Sequence, residues 1–315
     1  MPEVRIPAFA KINLRLDILG KRTDEFHELR TIFQTIALHD ELSLRASRHA
    51  GISLSIRGNQ PLSAEPAGKN LVYRAVDALR CELKIRGGVE IELKKSIPAG
   101  RGLGGGSSDA AAALLGYLRL TKKKLATARL MEIAASLGAD VPFFLLGGRA
   151  LGVNKGDEIY PLPGLERKLT LLVVVPDGIR VPTPDAFRWV NAPKLGATHR
   201  SSGARQGHAQ LTKSAATHKL WGFCALCWSA QGSGLSNDFE QAVFKRHPRL
   251  AAIKRALLRS GAAEASLAGS GSAVFGVFPS PVLARRAAVG FPDDQAFVCE
   301  TVSRDRYVRL VQGAL

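Results

Sequence analysis

The sequence predicts an α+β chain of two domains, and three observations carry that expectation. In the first half, short runs with apolar residues at every second position alternate with helical stretches. At Pro161, Pro163 and Gly164 a cluster of turn-forming residues marks a joint. Beyond it, two βαβ-like passes joined by a hairpin suggest an α/β sandwich of ferredoxin type. The expected domains are 1–160 and 161–315.

In chain order, Ile12, Leu14, Leu16 and Ile18 face one way and Lys11, Asn13, Arg15 and Asp17 the other, the pattern of a half-buried strand. Ile52, Leu54 and Ile56 repeat it, as do Val89, Ile91 and Leu93. Between them 70–83 reads as a helix with Asn70 as N-cap, its side-chain oxygen suited to an orphan N–H of the first turn. A second helix is expected to open near Ser107 or Ser108 and to run through AAAALLGYLRL. A third, 125–137, should stop at Gly138 in a left-handed cap, and Pro142 suits the first turn of a short helix, VPFFLL. After a turn at 154–156 and the joint, strands are expected at 169–175, 263–268, 272–278 and 297–302. Helices are expected at 184–190, at 238–259 and, capped by Ser280, from Pro281 onward. Residues 191–220 hold five Lys or Arg, three His and no acid, and the stretch 191–234 reads as a variable surface insertion.

A net charge of +17 invites an anionic partner: nucleic acid, a membrane surface or a phosphorylated substrate. No run approaches the ~18 apolar residues of a membrane span. The N-terminal segment alternates polar and apolar residues where a signal peptide has an unbroken apolar core. Four cysteines are too few for a disulfide scaffold, and Cys224 with Cys227 forms one CxxC that no second pair completes as a zinc site. The expectation is a cytoplasmic protein with reduced thiols.

The strongest local signal is PAGRGLGGGSS at 98–108, which follows a strand, opens a helix and carries five glycines in seven positions. Glycine permits positive φ and close backbone approach, so successive N–H groups can converge on an anion at the positive end of a helix. A flexible connection or tight helix–strand packing is the plainer alternative. Gly100, Gly102 and Gly105 satisfy GxGxxG, yet no Asp or Glu occurs between Asp109 and Glu132, where a dinucleotide fold places its ribose-binding acid. A Walker A loop fails too, because Gly106-Ser107 stands where Lys-Ser/Thr is required.

What remains, PxxxGLGGGSS, resembles the phosphate loop of the GHMP kinases, the superfamily of galactokinase, homoserine kinase and mevalonate kinase. NDFE at 237–240 and LAGSGSAVF at 267–275 match in the same order, the latter being similar to the family's third motif, a glycine turn that closes over the substrate and phosphate region. AKINL at 10–14, DEFHEL at 24–29 and GADVPF at 138–143 resemble the branch that phosphorylates a cytidine-diphosphate-linked polyol in the non-mevalonate isoprenoid pathway. The resemblance spans most of the chain, with weak cover at 191–234. It implies a two-domain GHMP kinase fold, with a ribosomal-protein-S5-like N-terminal domain and a ferredoxin-like C-terminal one.

The resemblance also implies roles. Asp140 is the general base that accepts the hydroxyl proton, and Lys11 orients it and offsets negative charge. From the residues alone, Asp140 is equally a helix cap ahead of Pro142, and Lys11 a solvated strand lysine. Asn13 would hold the substrate, Phe26 would stack on cytosine and His27 would hydrogen-bond its edge. Where the family usually has Gly-Tyr-His, this chain has Glu25-Phe26-His27, which keeps the stacking face and loses the phenol. Thr183, in VPTP, sits where relatives often have Ser-Thr near the substrate, and Pro182 departs from that pattern. Gly269, Ser270 and Gly271 would close over the substrate.

Pro98, Gly100, Gly102, Leu103, Gly104, Gly105, Gly106, Ser107 and Ser108 would wrap the phosphates of ATP. Asn70, Leu71 and Lys95 would border its base; a helix cap and an exposed strand lysine are the plainer readings of Asn70 and Lys95. Magnesium is implied to bridge phosphate oxygens, with Ser107 or Ser108 able to contribute a ligand. The partner is then a small molecule, not nucleic acid or membrane, and the chain a monomer or weak homodimer. Two other functions compete. A different GHMP kinase, such as a homoserine kinase, would give Phe26 and His27 nothing to stack on. A basic RNA-binding protein of S5-like fold would interleave exposed aromatics with basic residues, and the clusters at 122–124 and 191–220 carry almost none.

Overall fold

Two long antiparallel strands, β1 (Glu3–Lys21) and β2 (His27–Ser47), form the spine of the molecule. The computed structural model describes residues 2–58, 66–195 and 234–313, so Cys224, Cys227 and most of the expected insertion lie outside the described residues. β1 runs well past the stretch that simple alternation marks. Its register shifts between Phe9 and Lys11, and again between Asn13 and Arg15. Such a bulge moves the following side chains to the opposite face. Ile6 and Ala8 accordingly enter the N-terminal core, whereas Ala10, Ile12 and Leu14 pack toward the C-terminal half. Lys11 and Asn13 are thereby turned to the side on which the glycine loop lies.

The first sheet continues through β3 (Ile52–Arg57) and β4 (Gly88–Lys94) in the order β3-β4-β2-β1. β3 and β4 are parallel and joined by a crossover helix, α1 (Leu71–Glu82), which Asn70 caps as expected by accepting from Val72 N at 2.8 Å. α2 (Gly105–Thr121), α3 (Thr127–Leu137) and α4 (Val141–Leu146) complete this half. Its core joins Val76, Leu79, Leu114, Tyr117, Phe143 and Phe144 to one face of the sheet. β5 (Arg149–Val153) pairs with β2, and β6 (Glu158–Pro161) with β5.

The second sheet contains β7 (Thr170–Val175), β9 (Glu264–Leu267), β10 (Val274–Phe278) and β11 (Gln295–Glu300) in the antiparallel order β11-β7-β10-β9. That is the ferredoxin arrangement expected from the sequence. On one face lie α6 (Phe239–Arg246), α7 (Pro248–Arg259) and α8 (Pro281–Ala288); α5 (Thr183–Trp189) follows β7. The unbroken apolar run of β7 follows from burial on both sides: Leu172 and Val174 meet the helices, and Leu171, Val173 and Val175 meet Ala10, Ile12 and Leu14 of β1. Each such burial contributes about 1.5–3 kcal/mol, so the seam between the sheets is as much core as either half. A two-residue strand, β8 (Ser236–Asn237), returns to pair in parallel with β1 at Arg15 and Leu16.

Three local expectations are corrected. α2 starts at Gly105, not at Ser107 or Ser108, because Gly104 at φ +72° turns the chain and the next two glycines already form the first turn. Gly138 is extended (φ 168°), not left-handed, and a turn over 139–140, closed by Val141 N donating to the Gly138 carbonyl at 3.0 Å, leads into α4. The helix expected over 238–259 is two helices, divided at His247 because Pro248 cannot supply an interior N–H and instead starts α7. Among the described residues, no helix is long and apolar enough to cross a membrane.

Candidate active site

A cleft of about 550 Å³ opens between the glycine loop, β1 and the start of α5. The loop is shaped by backbone geometry that side chains would block. Gly102 has φ +80°, and a Cβ there would overlap the Ala268 carbonyl oxygen. A Cβ on Gly104 would lie 2.8 Å from the Phe144 ring and 3.1 Å from Lys11 Cγ. Leu103 is buried and its carbonyl accepts from Lys11 N at 3.0 Å, which ties the loop to β1.

Lys11 is buried, contrary to the reading of a solvated strand lysine. Its Nζ donates to Asn13 Oδ1 at 2.9 Å and stands 3.7 Å from Asp140 Oδ2. Asn13 in turn donates to Thr31 Oγ1 at 2.6 Å, and Thr31 to the Arg15 carbonyl at 2.7 Å. This chain of bonds takes one of the three ammonium N–H groups and fixes the position of Nζ, with Asp140 within ion-pair range. The Asp140 side chain is 34% exposed and makes no capping hydrogen bond at the start of α4. The capping alternative therefore falls, and the carboxylate is available to the cleft.

Pro98, Gly100, Gly102, Leu103, Gly104, Gly105, Gly106, Ser107, Leu71, Lys11, Asn13, Asp140, Thr183, Gly269 and Ser270 all line the cleft. Thr183 Oγ1 and Ser270 Oγ are 2.9 Å apart and join its two C-terminal walls. Asn237 holds the third-motif turn from behind by donating to the carbonyls of Leu267 and Gly269, each at 2.8 Å.

The remaining expected residues stand elsewhere. Asn70 uses its side-chain oxygen as a helix cap. Ser108 is 1% exposed and its hydroxyl has no partner; it is turned into the protein, away from the phosphates it was expected to wrap. Gly271 packs against Leu267 behind the turn. Lys95 is neither an exposed strand lysine nor a cleft residue. Its ammonium is held by Asp40 and, at 2.7 Å, by Asp109 Oδ2, while Asp40 also accepts from Ile97 N at 2.7 Å. With one cation among two buried carboxylates, burial pushes Asp109 up to about 8, partly offset by Lys95 and reinforced by Asp40.

Phe26 and His27 lie at the rim. Phe26 is 55% exposed, with the Lys155 ammonium 4.0 Å from its ring centroid. His27 stacks on Phe187 with ring centroids 4.8 Å apart, and burial, with the charge of Lys21, holds it below the usual histidine value, which favours the neutral ring. Phe187 itself lines the cleft and meets Phe239 edge-on at 4.9 Å. Sequence reasoning missed Phe187, although it follows Thr183 by one helical turn on α5 and so shares its face. Asp40 and Arg180 were missed as well, and only tertiary contact brings them to the loop; Arg101 stands inside PAGRGLGGGSS and was passed over there.

A loop of this shape, with a carboxylate and lysine facing it, suits the transfer of a phosphoryl group to an alcohol. Comparison with known proteins agrees. The family model described as GHMP kinases N terminal domain matches residues 70–148, and that described as GHMP kinases C terminal matches 220–293. The 4-diphosphocytidyl-2-C-methyl-D-erythritol kinase of Solibacter usitatus is 42% identical over 98% of this chain and 92% of its own length. Its counterpart in Pelotomaculum thermopropionicum is 39% identical over 93% and 96%. Among solved structures, a 4-(cytidine 5'-diphospho)-2C-methyl-D-erythritol kinase superimposes with a TM-score of 0.73 at 31% identity, covering 95% of this chain and 99% of that one. Homoserine kinase from Cytophaga hutchinsonii, at 21% identity and a TM-score of 0.70, shares the fold over 99% of this chain and 96% of its own. The chain belongs to the 4-diphosphocytidyl-2-C-methyl-D-erythritol kinase family of the GHMP kinases.

Proposed function

We propose that this chain is an ATP-dependent kinase that phosphorylates a hydroxyl of 4-diphosphocytidyl-2-C-methyl-D-erythritol in the non-mevalonate route to isoprenoid precursors. The observation that carries the chemistry is the Lys11–Asp140 pair, 3.7 Å apart at the foot of a glycine loop. Asp140 accepts the proton of the attacking hydroxyl, while Lys11 keeps the carboxylate oriented and offsets charge on the group in transfer. The backbone N–H groups of 102–107 and the start of α2 hold the donor phosphates. Phe187, with His27 against its ring, offers the cytosine an aromatic face at the rim.

Magnesium fits this donor set. Asp140 and Ser107 line the same cleft, and Ser107 Oγ lies 3.9 Å from where a Cβ on Gly138 would stand. Among the described residues no cluster of three or more His, Cys, Asp or Glu could cage a metal alone. Ser107 could supply a hydroxyl ligand beside the donor's phosphates and water, an ordinary set for magnesium, and the ion would neutralise phosphate charge there while Asp140 stays free as the base.

ATP consumption measured with the cytidylyl-methylerythritol, homoserine and mevalonate tests the reading. Turnover of the first alone is expected; turnover of only homoserine or mevalonate would overturn the substrate assignment. Asp140→Asn is expected to lower kcat by about 10²–10⁴-fold with little change in ATP affinity, and near-normal turnover would remove Asp140 as the base.

A further inference from the structure

Arg101 is the one charged residue within the glycine-rich stretch 98–108. Its Nη1 donates to the Ile179 carbonyl oxygen and, at 3.0 Å, to Ser272 Oγ. Ser272 Oγ donates to the same carbonyl at 2.6 Å, and the Arg101 carbonyl accepts from Ala273 N at 3.1 Å. The guanidinium is thus fixed in place, and the residue that follows its acceptor is Arg180. Both arginines line the main cleft, and both also line a hollow of about 170 Å³ on the other side of the loop, with Lys95 and Gln295. Among the described residues neither forms an ion pair; Asp177 acts on Arg101 only at longer range. Burial holds the Arg101 guanidinium below its ordinary value, and the charge of Arg180 lowers it further.

Two neighbouring cations with only a distant counter-charge repel, and that repulsion is relieved when an anion joins them. The planar fork of arginine matches a phosphate group in two-point hydrogen bonding better than any other side chain does. Arg101, anchored through one nitrogen, keeps further donors for such a contact, and the exposed Arg180 reaches the cleft from the opposite domain.

We propose that Arg101 and Arg180 form a phosphate-binding subsite that bridges the glycine loop and the C-terminal domain. It rests on the kinase reading given above, and the group it takes is a nucleotide phosphate, from either the donor's polyphosphate or the acceptor's diphosphate.

Calorimetric titration of the intact chain with ADP, CDP, adenosine and cytidine separates those sources. Arg180→Ala is expected to weaken ADP or CDP by ~10-fold or more, the scale of one charge-assisted hydrogen bond, and to leave the nucleosides unchanged. A loss confined to ADP assigns the subsite to the donor, and one confined to CDP assigns it to the acceptor. Arg101→Lys, which keeps the charge and loses the fork, is expected to weaken the same nucleotide, with melting curves confirming that both variants fold. Unchanged affinity for both ADP and CDP, or an equal loss for the nucleosides, would overturn the proposal. A phosphate-dependent loss in a chain that does not turn over the cytidylyl-methylerythritol would keep the subsite and remove the substrate assignment.

Discussion

Asp109 lies in the second turn of α2 with one carboxylate oxygen 2.7 Å from the Lys95 ammonium, which Asp40 of β2 also contacts. Its other oxygen is buried without a partner. Burial drives the group up to about 8, against the pull of Lys95 and with the push of Asp40. The folded protein therefore binds a proton at Asp109 that the unfolded chain, titrating near an ordinary value of about 3.9, releases. Stability from this group is full below that unfolded value, falls as pH rises toward about 8, and is level beyond it. Asp109→Asn keeps the shape and has nothing to titrate. The melting temperature of the variant relative to the parent should climb between about pH 4 and 8 and then stay constant. A difference that is flat across this window would mean that Asp109 is ionised throughout.

Gly100 and Gly102 have the same handed backbone, φ +67° and +80°, in very different surroundings. Nothing lies within 4 Å of a Cβ placed on Gly100, whereas one on Gly102 strikes the Ala268 carbonyl of the opposite domain. Gly100→Ala should cost only the left-handed strain, roughly 1–2 kcal/mol. Gly102→Ala should also push the loop off the third-motif turn and raise KM for ATP, which thermal melts and initial rates of the two variants would distinguish; equal effects would mean that the contact with Ala268 does not position the loop. The glycine loop, the doubly buried β7 and the proline-started α4 are legible in the sequence because each obeys a local rule of composition or period. Lys95 is not: a lysine at a strand end looks solvated, and the carboxylates that bury it come from positions 40 and 109. The same holds for Lys11, whose strand face depends on a bulge that alternation alone does not reveal. Phe26 and His27 carry the right chemistry for base recognition; the hairpin leaves Phe26 exposed and seats His27 on Phe187, which lines the cleft and whose one local mark is its helical spacing from Thr183.

The two halves of the molecule exchange segments. β8 from the C-terminal half completes the first sheet beside β1, and Leu16, Ile18 and Leu29 enter the core beneath the C-terminal helices. Beyond β11, α9 (Arg304–Tyr307) and the turn through Gln312 come back to the N-terminal core. That return bears on catalysis. α4 is six residues long, begins immediately after Asp140, and leaves its last carbonyls without helical partners. The Tyr307 hydroxyl donates to the Phe144 carbonyl, and Gln312 Nε2 to the Leu145 carbonyl at 2.9 Å. Full burial pushes the Tyr307 phenol well above its ordinary value, so it remains a donor throughout the working range. The C-terminal end of the chain thus fixes the far end of the helix whose near end presents the proposed base. Tyr307→Phe, which retains the ring and loses the hydrogen bond, should cost about 0.5–1.5 kcal/mol of stability. If the bond also holds Asp140 against Lys11, kcat should fall more than KM changes, because small displacements of a reacting group act on the transition state. Gln312→Ala should do the same to a smaller degree. A lowered melting temperature with unchanged kcat in both variants would show that the tail supports the fold and not the alignment of Asp140.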